Sequence, residues 1–136
     1  MDHEKKLINP TGTEAIYESL KFSQAIRVGD QLWISGQVGI DDDFKVKEGL
    51  ESQTRQAFEN LEQVIHEAGG ALVDVVELVT YHKNISDMPV FAKVKSEFFP
   101  NDYPAWTALE VSALVMPELL VEIRATAIIG CGKKKG

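Results

Sequence analysis

Two stretches near the end of the chain alternate between apolar and polar positions. From Leu119 to Ile129 every odd position is apolar, and the even positions include Glu122 and Arg124. A period of two is typical of a β-strand with one buried face. Residues 106–113 alternate in the same way, with Trp106 on the less apolar face. We therefore expect two strands here, the second of which carries charged side chains on its outer face.

Glu122 and Arg124 share that outer face, two residues apart. A charged pair on a core strand is either solvated, paired with itself, or part of a functional site. An ion pair within the strand is the simplest interpretation. A site in which Glu122 acts on a ligand remains open from the pattern alone.

The first half of the chain contains a hairpin pattern. Residues 21–28 read as a strand, Gly29 and Asp30 supply a tight turn, and residues 31–35 return as a second strand. Ser35 and Gly36 follow, and a glycine at a strand end permits either a bulge or the close approach of a ligand. Both interpretations stay open: a site edge, or a bulge whose serine is bonded to the backbone.

Two helices are predicted from apolar stripes. Residues 50–68 carry apolar side chains at helical spacing and end at a pair of glycines. A second helix begins near Asp87, which can cap it, and ends before Pro100. Between them, residues 75–83 are rich in β-branched side chains and predict a buried strand with His82 as a hydrogen-bonded rim residue. His66 lies off the stripe and is predicted to be a surface residue.

This order of elements predicts an α+β fold, with a mixed sheet and two helices packed on one face. The other sheet face would then lack a cover. An open apolar face is a liability unless other subunits bury it, so we expect a homo-oligomer.

Composition narrows the function classes. The 136 residues suit one domain, with residues 1–20 as an N-terminal arm and 131–136 as a disordered tail. No segment is apolar over the roughly 20 residues needed to span a bilayer, so we expect no membrane partner and a cytoplasmic location. The net charge of −7 disfavours nucleic acid.

Metal and thiol chemistry also find little support. Cys131 is the only cysteine, flanked by glycines near the end of the chain, and is predicted to have no role. Residues 41–43 are three consecutive aspartates, and consecutive carboxylates rarely converge on one ion. We therefore predict no metal site.

Several motifs together resemble the RidA/YjgF family, also called the endoribonuclease L-PSP family. They occur in order and at the family's spacing, and they cover nearly the whole chain from residue 21. The nearest branch has a strand beginning Tyr-Pro-X-Trp-Thr, as residues 103–107 do here. The matching pieces are residues 22–30, 34–37, 56–61, 68–69, 103–105 and 110–111.

The resemblance implies a chorismate-mutase-like fold, a homotrimer with clefts between subunits, and a last strand at the centre of the sheet. Family members hydrolyse reactive 2-imino acids without a cofactor. In their cleft a serine, the glycine after it and a glutamate that orients water correspond to Ser35, Gly36 and Glu122. The small-molecule metabolite is further bound by positions that correspond to Phe22, Trp106 and Ala108.

At Trp106 the family has an arginine that clamps the substrate carboxylate. An indole has no positive charge, so a clamp of about 1.5–3 kcal/mol would be lost. We therefore expect a more apolar, aromatic or cationic ligand, stacked on Trp106 and addressed by Glu122. Burial of Trp106 against a neighbouring subunit is the alternative.

Three functions follow from these features. The first is hydrolysis of an imine or enamine, with activity on 2-imino acids in doubt because of Trp106. The second is a trimer that binds a small metabolite without catalysis. The third is an endoribonuclease, against which the acidic charge and the lack of a paired acid and base count.

Overall fold

A computed structural model describes residues 3–132. Within that range the chain forms six strands and three α-helices, with 3-10 turns at Leu72–Asp74 and Ile85–Asp87. In chain order the elements are β1 (Lys6–Ile8), α1 (Glu14–Leu20), β2 (Ala25–Val28), β3 (Gln31–Val38), α2 (Leu50–Glu67), β4 (Val75–His82), α3 (Met88–Phe98), β5 (Ala105–Glu110) and β6 (Val121–Ile128).

The six strands form one mixed sheet in the order β1-β2-β3-β6-β4-β5. β6 pairs antiparallel with both β3 and β4, whereas β5 runs parallel to β4 at the far edge. The central place of the last strand, which the resemblance implied, is confirmed. β5 and β6 follow one another in the chain, yet β4 separates them.

The helices α2 and α3 cover one face of this sheet. The buried alternate residues of β3, β4 and β6 join the apolar stripes of both helices in a single core. Phe58 of α2 is its centre, with its ring 5.7 Å from the ring of Phe91 and 5.1 Å from that of Phe98. The predicted α+β class, with two helices packed on one face, is confirmed.

The predicted hairpin forms, but its first strand is shorter than expected. Val28 pairs with Gln31 across the turn, and Gly29 adopts φ 58°, which glycine tolerates. The pairing begins only at Ala25. Lys21 lies in the left-handed region at φ 61° and ends α1, so the chain cannot yet be extended there.

The later elements also differ at their ends from the sequence prediction. Asp87 precedes α3 but its side chain makes no capping hydrogen bond. Instead Asn84 accepts the Ser86 N–H and caps the 3-10 turn before it. β5 ends at Glu110 rather than at residue 113, because its partner β4 ends at His82.

The N-terminal arm holds an edge strand and a loosely packed helix. β1 pairs with β2 at the edge of the sheet, and α1 has no buried residue. Asn9 ties the arm down, since its side-chain oxygen accepts the Gln24 N–H at 3.0 Å. Of the predicted tail, all but Cys131 and Gly132 lies outside the described residues.

The sheet face opposite α2 and α3 exposes large apolar side chains. Trp33 is 46 % exposed and alternates with buried Leu32 and Ile34, and Leu109 and Ile128 are also exposed.

No helix in the described part of the chain is long and apolar enough to cross a membrane.

Candidate functional site

Four of the six predicted site residues line one cavity. Phe22, Ser35, Gly36 and Glu122 lie together on the wall of a cavity of about 820 Å³. That volume is in the range of small-molecule sites. A second cavity of about 850 Å³, which Cys131 lines, contains none of the predicted site residues.

The geometry of this cavity starts with a bulge in β3. Ile34 pairs with Ala125 and Gln37 with Ile123, so two residues, Ser35 and Gly36, stand opposite Arg124 alone. A bulge of this kind bends the strand and redirects its side chains. Here it places Gly36 against Glu122, which pairs with Val38 just beyond the bulge, and Ser35 on the same cavity wall.

Gly36 is required by the carboxylate of Glu122. A β-carbon built on Gly36 would lie 2.6 Å from Glu122 Oε2 and 2.7 Å from Cδ. No side chain larger than hydrogen fits there without moving the carboxylate. The bulge interpretation of Gly36 is confirmed. The group that approaches its backbone is the side chain of Glu122, and the role of Gly36 as the edge of a ligand site stays a prediction.

The hydroxyl of Ser35 is already engaged as a donor. Its Oγ donates to the Ser23 carbonyl oxygen at 2.7 Å, which fixes the strand next to Phe22. A hydroxyl has one proton and two acceptor lone pairs. Ser35 can therefore accept a hydrogen bond from a ligand but has no second proton to donate.

Glu122 is half-buried on the face of β6 opposite the core, between buried Val121 and Ile123. Desolvation by this burial raises the pKa of its carboxyl above the usual 4.5. Within residues 3–132 no hydrogen bond or ion pair holds that carboxylate. The carboxylate also remains accessible to solvent. Among the described residues, the fully buried side-chain polar atoms that lack a hydrogen-bond partner are Thr54 Oγ1 and His82 Nδ1, and no atom of Glu122 is among them.

The expected ion pair between Glu122 and Arg124 does not form. Among the described residues neither side chain makes an ion pair within 4.0 Å, and Arg124 is exposed. Residues i and i+2 share a face of a strand but are about two rises apart, and their side chains stand parallel. Glu122 is thus left free to act on a ligand.

The other two predicted site residues, Trp106 and Ala108, do not line this cavity. They pair with Leu78 and Thr80 of β4, whose side chains face the helices. The indole of Trp106 stacks on Phe91 of α3 at 5.8 Å. In one chain Trp106 and Glu122 therefore lie on opposite faces of the sheet, and a site containing both needs two chains.

The indole is also already occupied by the chain's own groups. Its Nε1 donates to Thr80 Oγ1 at 2.9 Å, and Lys95 Nζ lies 4.5 Å from the ring centroid. This is a cation–π contact, and burial lowers the pKa of the Lys95 ammonium. Lys95 thus occupies a place over Trp106 that sequence reasoning had reserved for a cationic ligand.

His82 continues this network into the core. Its Nε2 lies 2.7 Å from Thr80 Oγ1, and the residue is 1 % exposed. Because Trp106 can only donate, Thr80 accepts from it and is free to donate its own proton to His82. Burial lowers the pKa of His82 below 6.5. The prediction of a rim residue is wrong, since α3 covers this strand end; His66, by contrast, is exposed as predicted.

Sequence reasoning missed the rest of the cavity wall. It includes residues 10–13 and α1, the turn near Phe44, the outer side of α2 at Asn60, Gln63 and Val64, and Val115 and Met116. The spacing of Ile16 and Leu20, i and i+4, was an available signal for one face of a helix. Nothing in the sequence placed that helix beside Glu122.

No group of three or more potential metal-ligating side chains occurs in the described part of the chain. Asp41, which lines the cavity, accepts the backbone N–H groups of Asp43 and Lys45 and so closes its own turn. The hydrogen bond from Lys45 lowers the pKa of Asp41.

Comparison with known proteins decides the family. The sequence profile described as Endoribonuclease L-PSP matches residues 12–129. The chain belongs to this family. The family also goes by the name RidA/YjgF, and the match covers every strand and helix except β1.

Relatives and solved structures agree with that assignment. A RutC family protein of Pyrococcus abyssi is 38% identical over 108 residues, 78% of this chain and 84% of that protein. The human protein named 2-iminobutanoate/2-iminopropanoate deaminase is 31% identical over 111 residues, 80% of each. The crystal structure of RidA from a Psychrobacter species superposes with a TM-score of 0.77 at 37% identity, over 79% of this chain and 88% of that one.

Proposed function

We propose that this RidA/YjgF family member hydrolyses a reactive imine or enamine in the cavity at Glu122. The observation that carries the proposal is the half-buried, unpaired carboxylate of Glu122 lying against Gly36 in an otherwise mainly apolar cavity. A base with a raised pKa is suited to taking a proton near neutral pH. The deaminase name of the human relative supports the reaction class.

The proposed chemistry needs only water. Glu122 takes a proton from water as its oxygen attacks the iminium carbon, and then returns that proton to the nitrogen of the carbinolamine. As the C–N bond breaks, Glu122 takes the hydroxyl proton of the carbinolamine and passes it to the departing ammonia, so that R₂C=NH₂⁺ and water give R₂C=O and NH₄⁺. Ser35 accepts a hydrogen bond from the iminium N–H, and Phe22 forms part of the wall.

We further propose that the site is completed in a homotrimer. The support is the uncovered sheet face, where Trp33, Leu109 and Ile128 are exposed. Burying such a face is worth about 25 cal/mol per Å² of apolar area. Because Trp106 and Ala108 lie on the other face of the sheet, they can join a Glu122 cavity only from a second chain. Light scattering tests it: Trp33→Glu is expected to lower the trimer mass, and a monomeric natural protein contradicts it.

Turnover is tested with imines generated in situ by oxidation of amino acids and of primary amines, with ammonia as the product measured. We expect Glu122→Gln to lose about 100-fold in rate. Glu59→Gln, which removes the same charge from the exposed side of α2, should keep full activity. Equal rates for the natural protein, both variants and buffer contradict the proposal.

Trp106→Arg tests the substrate-carboxylate question separately. A restored arginine clamp should raise hydrolysis of 2-iminopropanoate by about tenfold or more, provided that the trimer is intact. If the natural protein already hydrolyses 2-iminopropanoate efficiently, the clamp is dispensable.

Binding without catalysis is the second candidate. It is favoured by the engagement of the Ser35 hydroxyl as a donor to Ser23, which leaves Glu122 as the one half-buried acid or base on the cavity wall. In that case Glu122→Gln weakens ligand uptake while no imine is turned over. We do not propose ribonuclease activity, because this wall offers no paired acid and base.

A further inference from the structure

We propose that the Glu122 cavity contains an apolar subsite, and that its ligand is an iminium or ammonium that bears an aromatic or branched aliphatic group and no carboxylate. The inference rests on the proposed function for the reaction, but not for the binding. It adds a subsite formed by α1, the turn around Phe44 and the segment before β6.

The wall of this subsite is apolar and comes from three separate segments. α1, the turn around Phe44 and the loop before β6 each contribute apolar side chains to it. Three of these side chains are strongly exposed, Leu20 at 66 %, Phe44 at 58 % and Val115 at 82 %. The apolar residues that these segments contribute are Ile16, Leu20, Phe44, Val115 and Met116, and Phe22 lies on the same cavity wall.

Exposed apolar side chains that converge on one cavity favour an apolar ligand group. Burying a phenyl or branched alkyl group against them removes apolar area from water on both partners. Because α1 has no buried residue, its apolar side chains remain available for contact with a ligand. Single exposed apolar residues are ordinary, but here they surround one concave site.

The charges that one chain places around the cavity disfavour a carboxylate as the ligand's polar end. No lysine, arginine or histidine lines it, while Glu122, Asp41 and Asp42 do. Asp41 is committed to its own turn, so Glu122 is the carboxylate in contact with the bulge. A carboxylate-bearing ligand would be repelled there, whereas a cationic nitrogen finds a half-dry counter-charge.

Within one chain, the cations nearest to these residues lie off the cavity wall. Arg124 shares the face of Glu122 but is not on the cavity wall, and Lys95 is stacked on Trp106 on the other side of the sheet. Within one chain the indole is therefore not the platform for the ligand. The cationic end belongs at Glu122, and the apolar end belongs in the subsite beside Phe22.

The proposed substrate defines a place in a reaction sequence. A carboxylate-free imine of the type R–CH=NH₂⁺ arises when a primary amine is oxidised by two electrons. Water converts it to the aldehyde R–CHO and NH₄⁺. The supplying reaction is thus an amine oxidation, and the consuming reaction must take an aldehyde.

Calorimetry with stable analogues tests the subsite without requiring turnover. 3-Phenylpropylammonium is the probe, ethylammonium lacks its apolar group, and 3-phenylpropanoate reverses its charge. We expect the probe to bind at least about tenfold more tightly than either. Phe44→Ser should weaken the probe by about three- to tenfold, whereas Val90→Ser, a similarly exposed apolar residue on α3, should not.

The outcomes separate this inference from the proposed function. Equal or tighter binding of the carboxylate, or no effect of Phe44→Ser, overturns the subsite. Probe binding that depends on Phe44 and Glu122, without turnover of any imine, supports the subsite and contradicts the proposed enzymatic function. Turnover of 2-iminopropanoate by a protein that does not bind the probe supports the proposed enzymatic function and contradicts the subsite.

Discussion

The carboxylate of Glu122 lies against the backbone of Gly36, in the space that a β-carbon at that position would fill. Gly36→Ala should therefore push Glu122 out of its place. Because the atoms in the way belong to the end of a flexible side chain, this displacement should cost at most about 1 kcal/mol. We expect that loss in the free energy of unfolding, together with loss of imine hydrolysis or of probe binding.

A double-mutant cycle shows whether the two residues are coupled. In a Glu122→Ala background the methyl group at Gly36 no longer meets the carboxylate, so Gly36→Ala should cost much less stability. Equal costs in the two backgrounds would mean that the glycine is needed for the bulge and not for Glu122.

The burial of Glu122 predicts a pH-dependent gain from removing its charge. Its folded-state pKa is raised, so the protonated form is favoured in the fold, and stability is lost as the pH rises through that pKa. Glu122→Gln should unfold at a higher temperature than the natural protein at about pH 8, with the advantage shrinking toward about pH 4. Glu59→Gln should show no comparable trend; the same trend in both variants would assign the effect to net charge.

The burial of His82 should make the folded protein less stable in acid, a pH dependence opposite in sign to that of Glu122. Burial lowers its pKa, so the unfolded chain takes up the proton first as the pH falls below 6.5, and the fold loses stability. His82→Gln should be less stable near neutrality but lose less between about pH 7 and pH 5. His66→Gln, at an exposed position, is the matched control, and an unchanged pH dependence in His82→Gln rules out the buried histidine.

Thr80 links Trp106 and His82 by hydrogen bonds, so its substitution should lower the free energy of unfolding. Thr80→Val keeps the shape but leaves the indole N–H and the buried His82 Nε2 without a partner, which should cost about 1–3 kcal/mol. Thr126→Val removes a hydroxyl whose contact with Glu77 is exposed and 3.4 Å long. Denaturant unfolding of both variants measures the difference, and equal costs would show that the network contributes nothing.

Regular elements with a strong period could be predicted from the sequence. The apolar stripe of α2 and the alternation in β6 each specify a buried face, because burial repeats with the geometry of the element. The predicted turn at Gly29 also forms, since glycine is tolerant of its positive φ. The central position of β6 came from the family resemblance, because periodicity does not reveal strand order.

The candidate site was predictable only in part. Ser35 and Gly36 lie near Glu122 because they form a bulge in β3 just before the Gln37–Ile123 and Val38–Glu122 pairs, and that register is not visible in a linear sequence. The expected pair of Glu122 with Arg124 fails for a local geometric reason. Trp106 was assigned by analogy, and its contacts with Phe91 and Lys95 depend on how α3 docks.

The central claim is that Glu122 acts as the base in imine hydrolysis, and a pH–rate profile tests it most directly. For the natural protein the rate should fall as the pH drops through a pKa above 4.5, because protonated Glu122 cannot accept a proton from water. The residual rate of Glu122→Gln should lack that step, while Glu59→Gln should retain it. A profile with the same step in Glu122→Gln would contradict the assignment of Glu122 as the base.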